Sequence, residues 1–151
     1  MRVWPLLFLA GGALLLMRSD SDVARDVQLS PNFWLREFAS RGQLPKDPKV
    51  VTNLRQLAEQ LEILRAELGG SGITIVSGWR SLAHNNAVSG ARKSQHLVGR
   101  AADIRVAGVA PAVVKATIER LISAGKMLQG GLAQYGSSFV HYDTRGWRAR
   151  W

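Results

Sequence analysis

Hydrophobic residues recur at spacings of three and four between Asp47 and Gly70, which is the spacing of one face of an α-helix. The members of this stripe are Val51, Leu54, Leu57, Leu61, Leu64 and Leu68. Asp47 followed by Pro48 is typical of a helix start, because aspartate can cap free backbone N–H groups and proline suits the first turn. Gly69 and Gly70 favour its end. We expect the stripe to pack in a core, although a leucine face of this kind could also form a dimer seam.

Two further segments have helical signals. Ser30-Pro31 predicts the start of a short helix with Ser30 as its cap, and its buried side would carry Phe33, Trp34 and Phe38. The stretch 111–124 predicts another helix that stops at Gly125. Its apolar face consists of Val114, Ile118, Leu121 and Ile122.

Strand signals follow the long helix. The run "GITIVSG" alternates β-branched and polar residues and predicts a strand that ends near Ser77-Gly78. Segments 102–106 and 139–143 predict two more strands, and Gly130-Gly131 is interpreted as a turn region. The chain has no internal repeats. The predicted fold class is therefore α+β, with helices first and then a small antiparallel sheet that has one helix inserted.

The first residues indicate export. A short basic start at Arg2 precedes the apolar run from Val3 to Met17, which is shorter than the roughly 20 residues that span a bilayer. We interpret residues 1–17 as a signal peptide or membrane anchor, 18–29 as a linker and 30–151 as the globular domain. The predicted location is the periplasm or cell envelope, with anchoring to the inner membrane as an alternative to cleavage.

The composition limits which partners the protein favours and which residue types can bind a metal. The 151 residues contain 20 Lys+Arg against 11 Asp+Glu, a formal net charge of +9 that favours anionic partners such as nucleic acid, an anionic membrane or a bacterial cell wall. Basic and aromatic residues alternate in 145–151, but an exported protein seldom meets nucleic acid, so we expect no nucleic-acid partner and a partly packed, solvated tail. Cysteine is absent, so any metal must be bound by His, Asp or Glu.

The stretch "SQHLVGRAADI" places His96 seven residues before Asp103, with small residues between them. Together with His141 these side chains could supply the three protein ligands of a catalytic zinc site. His141 and Asp143 are two positions apart and would project from one face of a strand. From spacing alone, other interpretations stay open: His96 could be an ordinary loop residue, and Asp103 could cap a turn or pair with a neighbouring arginine. We interpret His84 as a structural residue.

Two segments carry a resemblance to a known family. "SGWRSLAHNNAVSGARKSQHLVGRAADI" and "FVHYDTRG" resemble the zinc D-alanyl-D-alanine carboxypeptidases and their cell-wall endopeptidase relatives, and the likeness runs from "LSPNFWLREF" to the end of the chain. The family signature S-x-H-x-x-G-x-A-x-D followed by H-x-D is matched by Ser94, His96, Gly99, Ala101, Asp103, His141 and Asp143. The resemblance implies a hedgehog/DD-peptidase-like fold and zinc bound by the two histidines and Asp103.

The resemblance also implies an activity, the hydrolysis of amide bonds in peptidoglycan stem or cross-link peptides. It assigns Arg80, in "SGWRS", to stabilising the developing oxyanion and binding substrate; a surface salt bridge is the alternative. Ser94 would hydrogen-bond substrate or brace the loop that carries His96, unless it is a simple turn residue. The bond that is cut and the oligomeric state are not specified, and we expect a monomer.

One position departs from the family pattern. Several branches place a catalytic carboxylate three residues before the second metal histidine, where this chain has Ser138. Asp143 is then the nearest carboxylate, either as general base or as a residue that orients a ligand. In the second case the domain could be a non-catalytic peptidoglycan-binding module of the same fold. A phage or prophage endolysin with the same chemistry is a further alternative.

Overall fold

The computed structural model describes residues 27–151, and the predicted leader and most of the predicted linker lie outside them. The structure confirms the α+β class. Its elements in chain order are β1 (Gln28–Ser30), β2 (Phe33–Trp34), a 3₁₀ helix (Leu35–Phe38), α1 (Pro48–Glu67), β3 (Ile73–Ser77), α2 (Leu82–Ala87), a second 3₁₀ helix (Gln95–Val98), β4 (Ala101–Val106), α3 (Pro111–Ser123), β5 (Gly131–Tyr135), β6 (Phe139–Asp143) and β7 (Ala149–Arg150). Within residues 27–151, no helix combines the length and the apolar character that crossing a membrane requires.

Five strands form the main sheet, in the order β3-β4-β6-β5-β7. The first four pair antiparallel, as the sequence predicts, whereas β7 pairs parallel to β5 and makes the sheet mixed. The central register places Asp103 of β4 directly opposite His141 of β6. Ser77, at the end of β3, pairs with Asp103 from the other side. The pairing of these strands therefore brings the signature residues to one place in the sheet.

The long helix and the sheet share one core. Asp47 accepts a hydrogen bond from the backbone N–H of Lys49 at 2.8 Å, so the predicted cap of α1 is confirmed. The central members of the leucine stripe, Leu54, Leu57, Leu61 and Leu64, are fully buried. Burial of each such side chain contributes about 1.5–3 kcal/mol. The stripe therefore packs inside this chain.

The predicted helix start at Ser30 is wrong. Ser30 ends strand β1, and its hydroxyl donates to Glu62 Oε1 on α1 at 2.7 Å. The backbone N–H of Asn32 donates to the same oxygen at 2.7 Å, so the turn between β1 and β2 is bound to the long helix. The 3₁₀ helix starts after Trp34 instead. The folded part of the chain also includes Gln28 and Leu29, which the sequence pattern had placed in a linker.

Five elements were not predicted from the sequence pattern, namely β1, β2, α2, β5 and β7. The β5 sequence "GLAQY" starts in the predicted turn region and has no β-branched residue, which makes it a weak strand by local preference. It forms a strand because it pairs along its length with β6, from Leu132 opposite Tyr142 to Tyr135 opposite Phe139. Tertiary pairing therefore decides its conformation.

Candidate metal centre

Three predicted ligands come together at the centre of the sheet. His96 belongs to the second 3₁₀ helix, Asp103 to β4 and His141 to β6, and all three are buried. One potential ligand atom from each lies within 4.8 Å of the other two. Asp103 Oδ1 is 3.4 Å from His96 Nε2 and 2.9 Å from His141 Nδ1. Ligands of a tetrahedral zinc at about 2.0–2.2 Å lie roughly 3.3–3.6 Å apart, so this donor set fits a zinc ion with small adjustments.

The backbone fixes the orientation of His96. Its Nδ1–H donates to the carbonyl oxygen of Gly78 at 2.6 Å, which leaves Nε2 to face Asp103. Ser94 caps the short helix, because its hydroxyl accepts from the backbone N–H of His96 at 3.3 Å. Gly99 ends the helix with a φ of 75°, a left-handed conformation that glycine adopts without strain. His96 is therefore held in a defined orientation, and the contacts of Ser94 are those of a residue that braces the His96 loop.

Asp143 fixes the orientation of His141. Asp143 Oδ2 lies 3.0 Å from His141 Nε2, so Nδ1 is the nitrogen that faces Asp103. A carboxylate that accepts the second N–H of a ligating histidine is the usual way in which proteins fix its tautomer. Asp143 is itself completely buried. The two residues do project from one face, as their spacing predicts.

Both oxygens of the Asp143 carboxylate accept hydrogen bonds. Oδ1 accepts from the backbone N–H of Gly131 at 2.9 Å and from Arg145 Nε at 2.8 Å, while Oδ2 accepts from Arg145 Nη2 at 2.7 Å. A Cβ atom at Gly131 would lie 2.2 Å from Asp143 Oδ2, so this close approach requires glycine. Asp143 is therefore part of a packed, fully paired cluster.

Hydrogen bonding sets the charge states of the cluster. Burial opposes ionisation of both carboxyls, but hydrogen bonds outweigh it and hold the pKa of each well below its usual range. The donors to Asp103 are His141 and His96, and those to Asp143 are His141, Arg145 and the backbone N–H of Gly131. Burial lowers the pKa of His141, but its bonds to the two carboxylates prevail and raise it. Both carboxylates are therefore anionic at neutral pH, as metal binding requires.

Arg80 lies at the edge of the centre. Its Nη2 donates to Asp103 Oδ2 at 3.1 Å, and its Nε donates to Ser77 Oγ at 3.1 Å. Only 16% of the Arg80 side chain is exposed. Its salt bridge to Asp103 is therefore largely buried and is not the surface salt bridge considered from the sequence. Arg80 therefore holds the oxygen of Asp103 that points away from the two histidines. Arg105, a neighbour of Asp103 in sequence, instead donates to the carbonyl oxygen of Ser138.

A cleft of about 580 Å³ opens onto the three ligands. Its lining includes Arg80, part of the segment 88–95, and the aromatic side chains of Tyr135, Phe139 and Trp151. Among residues 27–151, Asp103 is the one carboxylate side chain in this lining, whereas Arg80, Lys93 and Arg145 supply positive charge. Sequence reasoning missed the aromatic group, because its members come from two strands and the last residue.

His84 lies apart from the centre. Its Nδ1 is 2.8 Å from the hydroxyl of Ser40, and the same hydroxyl accepts from the backbone N–H of Ser81 at 3.0 Å. These contacts join the start of α2 to the N-terminal part of the domain. They agree with the structural interpretation of His84.

Comparison with curated proteins found no significant match. Comparison with protein families did find a match: the family model described as Peptidase M15 matches residues 31–143. The matched stretch contains His96, Asp103, His141 and Asp143, the residues that build the buried centre. The chain therefore belongs to the peptidase M15 family of metallopeptidases.

Proposed function

We propose that this protein is a zinc-dependent peptidase that hydrolyses amide bonds in peptidoglycan stem or cross-link peptides. The observation that carries the proposal is the convergence of three buried ligand atoms at zinc-like spacing, on which a cleft of about 580 Å³ opens. The ligands would be His96 Nε2, Asp103 Oδ1 and His141 Nδ1. Zinc in such a site lowers the pKa of bound water and polarises a carbonyl group.

Arg80 would have two tasks. Its hydrogen bond to Asp103 Oδ2 holds that carboxylate so that Oδ1 faces the two histidines. Its guanidinium group also lines the cleft next to the centre, where it can stabilise negative charge that develops on a carbonyl oxygen. Both tasks need a fixed cation, and the bond to Ser77 fixes it.

The geometry supports the orienting role of Asp143 over the role of general base. A general base must come within hydrogen-bond reach of the proton that it removes. Asp143 is fully buried, it does not line the cleft, and both of its oxygens are already bonded to His141, Gly131 and Arg145. We therefore assign Asp143 to holding His141 with Nδ1 toward the metal.

The charge of the cleft supports an anionic peptide as substrate. Arg80 and Arg145 are paired with Asp103 and Asp143, but Lys93 has no salt bridge within residues 27–151. Bound zinc would add further positive charge. A stem peptide carries free carboxylates that such a cleft attracts. This substrate also agrees with the proposed export to the cell envelope, where peptidoglycan lies.

A non-catalytic peptidoglycan-binding module is the second candidate. The observation that favours it is that, in the part of the chain that the structure describes, Asp103 is the one carboxylate side chain lining the cleft, while Ser138 stands at the position where related branches have a catalytic carboxylate. Such a module would keep the metal and the cationic lining without hydrolysis. An endolysin of phage or prophage origin would share the chemistry of the first candidate.

Digestion of purified peptidoglycan distinguishes the two candidates. The full chain would be incubated with peptidoglycan, with and without a chelator, and the released fragments identified by mass spectrometry. We expect fragments that disappear with the chelator and with Arg80→Ala, but persist with Arg105→Ala, which removes an exposed arginine that bonds Ser138. Retention on peptidoglycan without any released fragment would support the binding module instead.

A further inference from the structure

Strand β7 places Trp151 beside the candidate metal centre. The strand pairs with the start of β5, with Ala149 opposite Gly131 and Arg150 opposite Leu132. Arg150 anchors it, since its Nε donates to Glu119 Oε2 at 2.7 Å and its Nη1 donates to the carbonyl oxygen of Gly130 at 2.6 Å. The last residues are therefore partly packed on the domain through Arg150, while Trp147 and Trp151 stay exposed.

Three contacts hold the indole of Trp151 in the cleft. Its centroid is 5.2 Å from that of the His141 ring, and the Arg145 guanidinium lies 5.4 Å from the same indole. Its Nε1–H donates to the hydroxyl of Tyr135 at 2.8 Å. Despite these contacts 54% of the residue stays exposed. A large aromatic side chain that is fixed but exposed in a cleft is available to contact a ligand.

Trp151 continues an aromatic surface. Tyr135 and Phe139 stack with their ring centroids 4.7 Å apart, and both line the same cleft. Most of the remaining lining is polar or charged, including Arg80, Lys93 and the metal-ligating residues, although Val88 and Ala91 also belong to it. The aromatic surface is therefore suited to the apolar part of a ligand whose polar groups meet the metal and the cations.

We propose that Trp151 is a substrate-positioning residue, whose indole packs against an apolar part of the peptide next to the scissile amide. This inference rests on the proposed peptidase function and adds to it a residue that holds the peptide beside His141. The indole lies next to His141, so a side chain packed on it would be held at a fixed distance from the metal. Loss of such positioning can lower the rate about 10²-fold without any change in the reacting groups.

The test compares Trp151→Ala and Trp151→Phe with Trp147→Ala. Trp147 is a matched control because it is 59% exposed and lies 5.9 Å from the same Arg145 guanidinium, but does not line the cleft. Hydrolysis of a soluble stem pentapeptide ending in D-Ala-D-Ala would be measured as kcat and KM. We expect Trp151→Ala to lower kcat/KM by roughly 10–100-fold, Trp151→Phe to recover most of it, and Trp147→Ala to leave it unchanged.

Two measurements separate positioning from a structural role. Thermal unfolding and zinc affinity should be the same for Trp151→Ala and wild type, and a clear loss of either would overturn the inference. So would an unchanged kcat/KM in Trp151→Ala.

Calorimetric titration of the metal-free protein with the same pentapeptide should show weaker binding by Trp151→Ala than by Trp147→Ala. If wild type cleaves neither this pentapeptide nor purified peptidoglycan, the proposed function fails, while this titration still decides whether Trp151 contacts the peptide; equal affinities would refute that contact.

Discussion

Asp143→Asn separates the two roles that the sequence leaves open for this residue. The substitution keeps the shape of the side chain and replaces one oxygen by an NH₂ group. If the amide oxygen faces His141 Nε2, the NH₂ group faces the donors on Gly131 and Arg145. If the NH₂ group faces His141, it favours the tautomer with the proton on Nδ1, the nitrogen that should bind zinc. Either orientation opposes the arrangement seen in the structure.

The size of the effect follows from these contacts. Loss of a residue that orients a metal ligand typically reduces metal affinity by about 10–100-fold, which is about 1.4–2.7 kcal/mol. The substitution also removes the anionic partner of Arg145, a partly buried cation with 19% of its side chain exposed. We therefore expect weaker zinc binding together with a lower melting temperature of the metal-free protein.

Zinc affinity would be measured by competition with a chromophoric chelator, and kcat/KM on the stem pentapeptide at saturating zinc. Glu67→Gln is the control, because it removes a carboxylate that pairs with Arg120 at the exposed surface, away from the centre. Activity of Asp143→Asn should recover in part as zinc is raised to saturation. A general base would behave differently, with kcat reduced by about 10²–10⁴-fold at unchanged zinc affinity, and that result would refute the orienting role.

Three further predictions concern packing and pH. Gly131→Ala should destabilise the protein by more than about 1 kcal/mol, since the new Cβ would lie 2.2 Å from Asp143 Oδ2. Gly72→Ala is the control and should melt close to wild type, because no atom lies within 4 Å of its new Cβ. Equal melting temperatures of the two variants would contradict this prediction. Zinc affinity should fall as pH falls through the raised pKa of His141, because the metal-free site then keeps a proton that zinc must displace. For the same reason zinc should stabilise the protein more at higher pH, so a pH-independent affinity in chelator competition would exclude this proton. Leu61→Ala, at a fully buried position of α1, should lower the free energy of unfolding by about 2–5 kcal/mol, measured by chemical denaturation. A loss below about 1 kcal/mol would show that the helix does not pack in this core.

Local signals were sufficient for much of the fold and for the ligand set. The leucine periodicity and the Asp47-Pro48 start predicted α1, and β-branched alternation predicted β3. The ligands could be proposed because the spacing of His96 and Asp103 lies within a short, glycine-containing stretch that also matches a family signature. The helix and strand signals lie within a few neighbouring residues, which interact locally, whereas His141 joined the ligand set only through the separate H-x-D part of that signature.

Tertiary structure decided the features that depend on residues far apart in sequence. Ser30 ends a strand because Glu62 binds the turn after it, and β5 is a strand because β6 pairs with it. Likewise Asp143 is enclosed by Gly131 and Arg145, and the parallel pairing of β7 with β5 brings Trp151 onto His141. By itself the sequence determined which residues could bind a metal. The packing of the sheet determined which atoms face the centre and which carboxylate is enclosed, since these depend on contacts that exist only once the chain has folded.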